Sequence, residues 1–187
     1  EINGIKDFNK LWTIFTNALS QKTYQDLILK GLYNTLMIAV FGLLIGIIIG
    51  TFIAIIKVRP KHSIFIKAVD KICTIYVGIF RGTPMVVQLL IAYYVLLPIL
   101  GIIGANPLQV GIWVFGLNSG AYVSEIMGGG FISVDRGQLE AGRGIGLGYT
   151  AAMTKIVIPQ AIKNTLPTLG NEFITLIKET SVVSFIT

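Results

Sequence analysis

The residue types that most often catalyse reactions are scarce in this sequence and stand apart from one another. The chain has one histidine, His62, and one cysteine, Cys73. His62 lies among lysines and arginines, where we expect a solvated side chain. A single cysteine excludes an internal disulfide and a cysteine-based metal cluster. We therefore expect no metal site and no catalytic residues, and we expect that the chain is not an enzyme.

A glycine-rich segment is the next candidate for chemistry, because glycine-rich loops can cradle phosphate groups. It reads Gly142-Arg143-Gly144-Ile145-Gly146-Leu147-Gly148. A P-loop needs four residues between its glycines and a Gly-Lys-Ser/Thr end, and a dinucleotide site needs Gly-x-Gly-x-x-Gly between a strand and a helix. Neither spacing fits, so we expect that any ATP chemistry lies on another chain.

The composition indicates an integral membrane protein. Of 187 residues, 53% are hydrophobic and 13% are charged, whereas a soluble domain is about 25% charged. The mean hydropathy is +0.77. The formal charge of +6 could suggest nucleic acid, but the basic residues flank long apolar stretches. Anionic lipid headgroups in the bilayer are therefore the expected partner, and we predict no nucleic-acid binding.

The apolar stretches predict four membrane spans. Residues 32–56 carry no charge and are long enough to cross a hydrocarbon core of about 30 Å. In this span Gly42, Gly46 and Gly50 repeat every four residues, which predicts one face for close helix packing. The other predicted spans are residues 68–100, 108–127 and 159–178.

The distribution of lysine and arginine predicts the orientation of these spans. The segments 57–67 and 128–158 are basic, whereas the segment 101–107 has no lysine or arginine. The positive-inside rule places the two basic segments in the cytoplasm and the N-terminus outside. Residues 68–100 then form a single crossing, broken near its cytoplasmic end at Arg81, Gly82 and Pro84, with Arg81 close enough to snorkel to the inner headgroups.

The fold class expected from these patterns is an all-α integral membrane protein, a polytopic helical bundle with four spans and a truncated fifth. Residues 1–30 are an amphipathic segment at the membrane interface or a helical linker, with Phe8, Trp12 and Phe15 on one face. Residues 31–187 are the transmembrane domain. The chain begins with Glu1 and stops after Val182–Thr187, so we expect a processed or incomplete chain that lacks a last span.

Polar side chains inside the predicted spans are candidates for a substrate pathway, because burying them in a bilayer is unfavourable. They are Gln88, Asn118, Glu125, Asn171 and Glu172. Gln88 and Asn118 could instead hydrogen-bond two helices, and Glu125 could cap a helix or meet Arg136. We expect Tyr93 and Tyr94 to belong to an outer aromatic belt.

The cytoplasmic segment carries a resemblance to a known family. It reads Glu140-Ala141-Gly142, three residues, Gly146, nine residues, and Ile156-Val157-Ile158-Pro159. This resembles the loop of the permease subunits of bacterial ABC importers, which has Glu-Ala-Ala, three residues, Gly, nine residues and Ile-x-Leu-Pro. Gly142 and Ile158 replace the alanine and the leucine.

Further segments resemble the subgroup that imports polar amino acids of the glutamine, histidine and arginine type. They are Phe80-Arg81-Gly82-Thr83-Pro84, Val87-Gln88-Leu89-Leu90, Ala121-Tyr122-Val123-Ser124-Glu125-Ile126, Gly137-Gln138-Leu139-Glu140-Ala141 and Lys178-Glu179-Thr180-Ser181. The resemblance covers about residues 31 to 187. Gly128 departs from it, because that subgroup often has an arginine there.

The resemblance implies an importer subunit that forms the pathway for a polar amino acid in the bacterial inner membrane. Its expected partners are ABC ATPase subunits, a second permease copy or homologue, and an extracytoplasmic amino-acid-binding protein or fused binding domain. ATP and Mg would bind the ATPase and no cofactor would bind this chain. The resemblance implies a coupling helix at residues 140–147, and coupling roles for Glu140, Ala141, Gly142, Gly146, Ile156 and Pro159.

Local patterns agree with a helix there, since an acid such as Glu140 suits the start of a helix and the glycines allow a sharp turn. The alternative function is an ion-coupled secondary amino acid transporter without an ATPase. Glu125 and Glu172 would favour a cationic substrate, whereas Gln88 and Asn118 would suit glutamine, and the sequence leaves that choice open. It also leaves open a homodimer or a heterodimer.

Overall fold

A computed structural model of the chain describes residues 2–58 and 63–186, without the side chains of residues 2–7, 18 and 19. The expectation for His62 therefore falls outside the described residues. Within those residues every regular element is helical, which confirms the all-α class. The chain divides into two compact units, residues 1–36 and 37–187.

The described residues form nine α-helices, which follow one another along the sequence. They are α1 (Ile2–Ser20), α2 (Lys22–Val58), α3 (Ile64–Gly82), α4 (Met85–Ile91), α5 (Leu97–Ile99), α6 (Pro107–Ser133), α7 (Arg136–Gly144), α8 (Tyr149–Ala152) and α9 (Ile158–Glu179). Five-residue π-helical turns join α4 to α5 and α8 to α9, and a 3₁₀ segment, Thr180–Ile186, follows α9.

In the first unit, α1 presents an exposed aromatic face. Phe8, Trp12 and Phe15 lie about one helical turn apart; the Phe8 and Trp12 rings stack at 6.5 Å between centroids, and the Trp12 and Phe15 rings are tilted at 5.8 Å. More than half of each side chain is exposed. The aromatic face predicted from the sequence is thus present, and its role as an interfacial helix or a linker stays a prediction.

The second unit is built around α6, which contributes to all three hydrophobic clusters. One cluster joins α2, α4, α6 and α9 through residues such as Ile38, Leu89 and Phe115. A second lies around Met127 and Val157, and a third around Val77 and Ala121. The central helix also buries the polar side chains of Asn118, Ser119 and Ser124.

The face of α2 that carries Gly42, Gly46 and Gly50 is buried against α6, as the four-residue spacing predicts. A Cβ atom on Gly46 would lie 2.6 Å from Ser119 Oγ, and one on Gly50 would lie 2.7 Å from the backbone nitrogen of Ser124. The opposite face exposes large apolar side chains, with Ile48 72% and Phe52 66% exposed. Small residues inside and large apolar residues outside are typical of a helix in lipid.

By length and composition, α2 is apolar enough to cross a membrane, and it includes residues 32–56. The pair α3 and α4–α5 meets the same criterion but is bent by 107° at its break. The break follows Gly82, at the predicted position. The helix before the break, α3, has 19 residues. Where the sequence predicts one kinked crossing, the structure thus has two helices that meet at a sharp angle. α6 and α9 do not meet this criterion, so the four-span count stays a prediction.

Several helix boundaries differ from those predicted. Residues 128–133, assigned to the cytoplasmic loop, are the last six residues of α6. The helix expected at residues 140–147 is α7, which starts at Arg136. Glu140 is therefore in the middle of that helix, and the prediction that it starts the helix is wrong. The Asp135 carboxylate caps α7 by accepting a hydrogen bond from the Gly137 N–H at 2.7 Å, which fixes the earlier start.

Candidate functional site

Two sites carry the predicted functional residues, and the first is a polar cavity at the break between α3 and α4. The cavity has a volume of about 360 Å³. It is lined by Arg81, Gly82, Thr83, Pro84, Met85, Asn118, Tyr122 and Glu179. Its size falls within the range of about 300–1,000 Å³ that is typical of small-molecule sites.

Hydrogen bonds from side-chain amides hold the break open. Where α3 ends, its last carbonyl groups lack helical partners. The Gln88 amide donates to the carbonyl oxygens of Phe80 at 2.8 Å and Thr83 at 3.0 Å, and to Thr83 Oγ1 at 2.9 Å. Asn118 of α6 donates to the Phe80 carbonyl at 3.3 Å and to Gln88 Oε1 at 3.0 Å. A bilayer offers no water to carbonyl groups at such a break. The amides of Gln88 and Asn118 supply the hydrogen bonds that the Phe80 and Thr83 carbonyls lack.

Charged side chains lie on both sides of this cavity. The Arg81 guanidinium pairs with the Glu125 carboxylate at 2.5 Å, and its charge lies 5.4 Å from the centre of the Tyr122 ring. Glu125 therefore meets Arg81 of α3 and not Arg136, the partner considered from the sequence. The Glu179 carboxylate lies at another wall of the cavity, at the end of α9. The site thus combines a cation that can bind a carboxylate with an anion that can bind an ammonium group.

The other predicted pathway residues lie away from the cavity wall. Glu172 is 9% exposed and accepts a hydrogen bond from Ser119 Oγ at 3.0 Å, which joins α9 to α6. Asn171 is exposed on α9. Tyr93 and Tyr94 form an edge-to-face pair, and the Tyr94 hydroxyl donates to the Phe185 carbonyl at 3.1 Å. Of the five predicted pathway residues, Asn118 lines the cavity, and Gln88 and Glu125 bond to residues that line it.

The second site is the helix α7, which ends in a sharp turn. The Leu147 N–H donates to the Gly142 carbonyl at 3.1 Å, and the Gly146 N–H donates to the Arg143 carbonyl at 3.0 Å. This is a Schellman motif with Gly146 in the left-handed region at φ +91°. The turn expected from the glycines is thus present at Gly146, because a side chain at this φ would be strained.

The two faces of α7 differ in what they contact. Gly142 is buried, and a Cβ atom on it would lie 2.7 Å from Ile156 Cδ1 and 3.3 Å from Ala152 Cβ. Glu140, Ala141 and Arg143 are exposed. The Gln160 amide of α9 donates to Gln138 Oε1 at 3.3 Å. One face of α7 is therefore packed against α8 and the π-helical turn after it, with one hydrogen bond to α9, and the other face is exposed.

Sequence reasoning missed four residues of these two sites. Arg81 was assigned to the helix break and to the inner headgroups, and Glu179 was noted only within a motif. Tyr122 was noted only within a motif. Ile145 is 80% exposed at the tip of α7. Its position between Gly144 and Gly146 in the sequence could have indicated an exposed side chain in a turn. The cavity residues come from four helices and the break between two of them, so no local pattern in the sequence could have brought them together.

Comparison with known proteins places the chain in a family. Residues 42–187 match the model of the binding-protein-dependent transport system inner membrane component. The arginine transport system permease protein ArtQ of Bacillus subtilis is 40% identical over 159 residues, which cover 85% of this chain and 70% of that protein. The L-cystine permease TcyB of the same organism is 35% identical over 169 residues, 89% of this chain and 68% of that protein.

Solved structures give the same result. The crystal structure of an amino acid ABC transporter with histidines aligns with a TM-score of 0.75 and 41% identity, over 90% of this chain and 75% of that one. The MetNI methionine ABC transporter has the same fold, with a TM-score of 0.75 at 18% identity, over 89% of this chain and 77% of that one. This chain therefore belongs to the family of inner membrane components of binding-protein-dependent transport systems.

Proposed function

We propose that this chain is the permease subunit of an ATP-driven importer and forms the membrane pathway for a polar amino acid. The observation that carries the proposal is α7, a short helix whose buried Gly142 face packs on the rest of the unit while Glu140, Ala141 and Arg143 stay exposed. Such an element can pass motion from a separate ATPase into the spans. ATP and Mg bind that ATPase, and this chain hydrolyses nothing.

The coupling role belongs to Glu140, Ala141, Gly142, Gly146, Ile156 and Pro159. The exposed Ile145 side chain extends the contact surface at the tip of α7. The other partners are a second permease copy or homologue and an extracytoplasmic binding protein or fused domain. The bacterial inner membrane holds the four spans with the N-terminus outside and residues 57–67 and 128–158 in the cytoplasm.

The cavity at the break is the proposed substrate site. Arg81 is placed to bind the α-carboxylate of an amino acid, and Glu179 to bind an ammonium group. A substrate carboxylate would compete with Glu125 for the guanidinium. Relatives named for arginine, L-cystine and, provisionally, glutamine transport support a polar amino acid as the cargo.

Uptake into proteoliposomes tests this function. The complete transporter is reconstituted and offered L-arginine, L-glutamine, L-histidine and L-cystine, with ATP or with a sodium or proton gradient. We expect ATP-dependent uptake of at least one of the four and no uptake driven by either gradient. Uptake driven only by a gradient would favour the ion-coupled transporter.

Matched variants then test the cavity. Arg81→Gln and Glu179→Gln should each raise the KM for uptake at least tenfold, since each removes a charge that contacts the substrate. Lys178→Gln changes the exposed neighbour of Glu179 and serves as the control. If both cavity variants keep the parental KM, the substrate binds elsewhere.

A further inference from the structure

In the part of the chain that the structure describes, two helical stretches contain a π-helical turn, and a proline closely follows each turn. The Leu97 N–H donates to the Ala92 carbonyl, and the Ile158 N–H donates to the Met153 carbonyl, five residues back in both cases. The next residues are Pro98 and Pro159. Proline has no N–H to donate, and its ring clashes with the carbonyl four residues earlier. A wide turn before the proline relieves that clash.

Proline alone does not produce a π-helical turn in this chain. Pro167 lies inside α9, which is α-helical on both sides of it. The turn before Pro159 differs because its side chains pack on two sides. Met153 and Val157 are 8% and 6% exposed and belong to the cluster around Met127. Ile156, between them, meets the buried Gly142 face of α7.

The π-helical turn sets the register between α8 and α9. It holds one residue more than the α-helical path that would join the same flanking segments. If it became α-helical, the segment before it would rotate by about 100° and move by about 1.5 Å relative to α9. Ala152 and Ile156, which lie beside Gly142, would move together with that segment, and α7 would shift with them relative to α9.

We propose that Pro159 is a positioning residue that maintains the π-helical turn Met153–Val157, and that this turn aims the exposed face of α7 at the ATPase. The inference rests on the proposed function, because it assumes that α7 contacts an ATPase. It gives the proline of the cytoplasmic motif a role that does not require contact with the partner.

The test compares a substitution with a deletion that should repair it. Pro159→Ala restores the N–H and lets the turn become α-helical, which shifts the register. Removing Thr154 as well takes out the extra residue and should restore the register. Thr154 is exposed, and its hydroxyl donates only to carbonyls of its own helix, those of Thr150 at 2.9 Å and Ala151 at 3.3 Å. Pro167→Ala is the matched control.

The readout is vanadate-sensitive ATP hydrolysis per mole of chain, measured on the complex purified from native membranes. Pro159→Ala should lose at least tenfold, the double variant should recover to within about threefold of the parent, and Pro167→Ala should match the parent. Parental activity in Pro159→Ala, or a double variant as inactive as the single one, would overturn the proposal.

A second readout separates this proposal from the proposed function. Cysteines at positions 138 and 160, in a Cys73→Ser background, report the contact between Gln138 of α7 and Gln160 of α9. A short bismaleimide should cross-link them in the parent and in the double variant but not in Pro159→Ala. If the parent shows no ATP hydrolysis while this pattern holds, the proposed function fails and the register role of Pro159 stands. Equal cross-linking in all three contradicts the register role itself.

Discussion

At the scale of single residues, the polar groups of the second unit act in pairs. Arg81 meets Glu125, Ser119 donates to Glu172, and Asn118 donates to Gln88. The sequence identifies most of these residues, because a polar group in a predicted span is conspicuous. It does not identify the pairs, since each pair joins two helices and depends on how those helices pack.

The glycines of α2 give a prediction at this scale. Gly50→Ala should lower the free energy of unfolding by about 1–3 kcal/mol, because the added Cβ would lie 2.7 Å from the Ser124 backbone nitrogen, which cannot move alone. Gly31→Ala is the control in the same helix, where a Cβ meets nothing within 4 Å. Thermal unfolding in nanodiscs measures both. An unchanged midpoint for Gly50→Ala would show that α2 and α6 do not approach as closely as described.

At the scale of elements, local signals predict some boundaries well and others poorly. Gly82 and Pro84 stop a helix through their own backbone properties, so the break could be predicted from the sequence. The start of α7 was missed because its cap, Asp135, lies five residues before the motif that drew attention. The angle of 107° between α3 and α4–α5 depends on side-chain amides from α4 and α6. It could therefore not be predicted from the local sequence at the break.

The amide cluster at the break gives the prediction for this scale. Gln88→Met keeps the length of the side chain but removes the hydrogen bonds that Gln88 donates to the Phe80 and Thr83 carbonyls and to Thr83 Oγ1. We expect a loss of about 0.5–1.5 kcal/mol in the free energy of unfolding, the usual net contribution of a hydrogen bond, because these acceptors are exposed or only partly buried. Gln109→Met, at an exposed position on α6, is the control. Urea or thermal unfolding in detergent measures the difference, and equal stabilities would mean that the break does not need these bonds.

At the scale of the whole molecule, composition and charge predicted the class of protein, and the cytoplasmic motif predicted the family. The match to residues 42–187 confirms the family. The packing of the helices could not be predicted, because it depends on which small residues of α2 face which turns of α6. The same holds for the cavity, whose wall combines α3, the start of α4, α6 and the end of α9.

The central claim is that this membrane chain works with a separate ATPase through α7. The most direct test is vanadate-sensitive ATP hydrolysis that copurifies with the tagged chain from native membranes, for the parent, for Gly146→Arg and for Gly128→Arg. At Gly146 an arginine places a strained residue and a charge in the turn after α7, whereas Gly128 is helical with open space for a Cβ.

We predict that the parent and Gly128→Arg copurify with ATP hydrolysis and that Gly146→Arg loses at least nine-tenths of it, with all three inserted in the membrane to the same extent. If none of the three chains carries ATP hydrolysis, or if Gly146→Arg keeps the parental level, the claim that α7 couples this chain to an ATPase is contradicted.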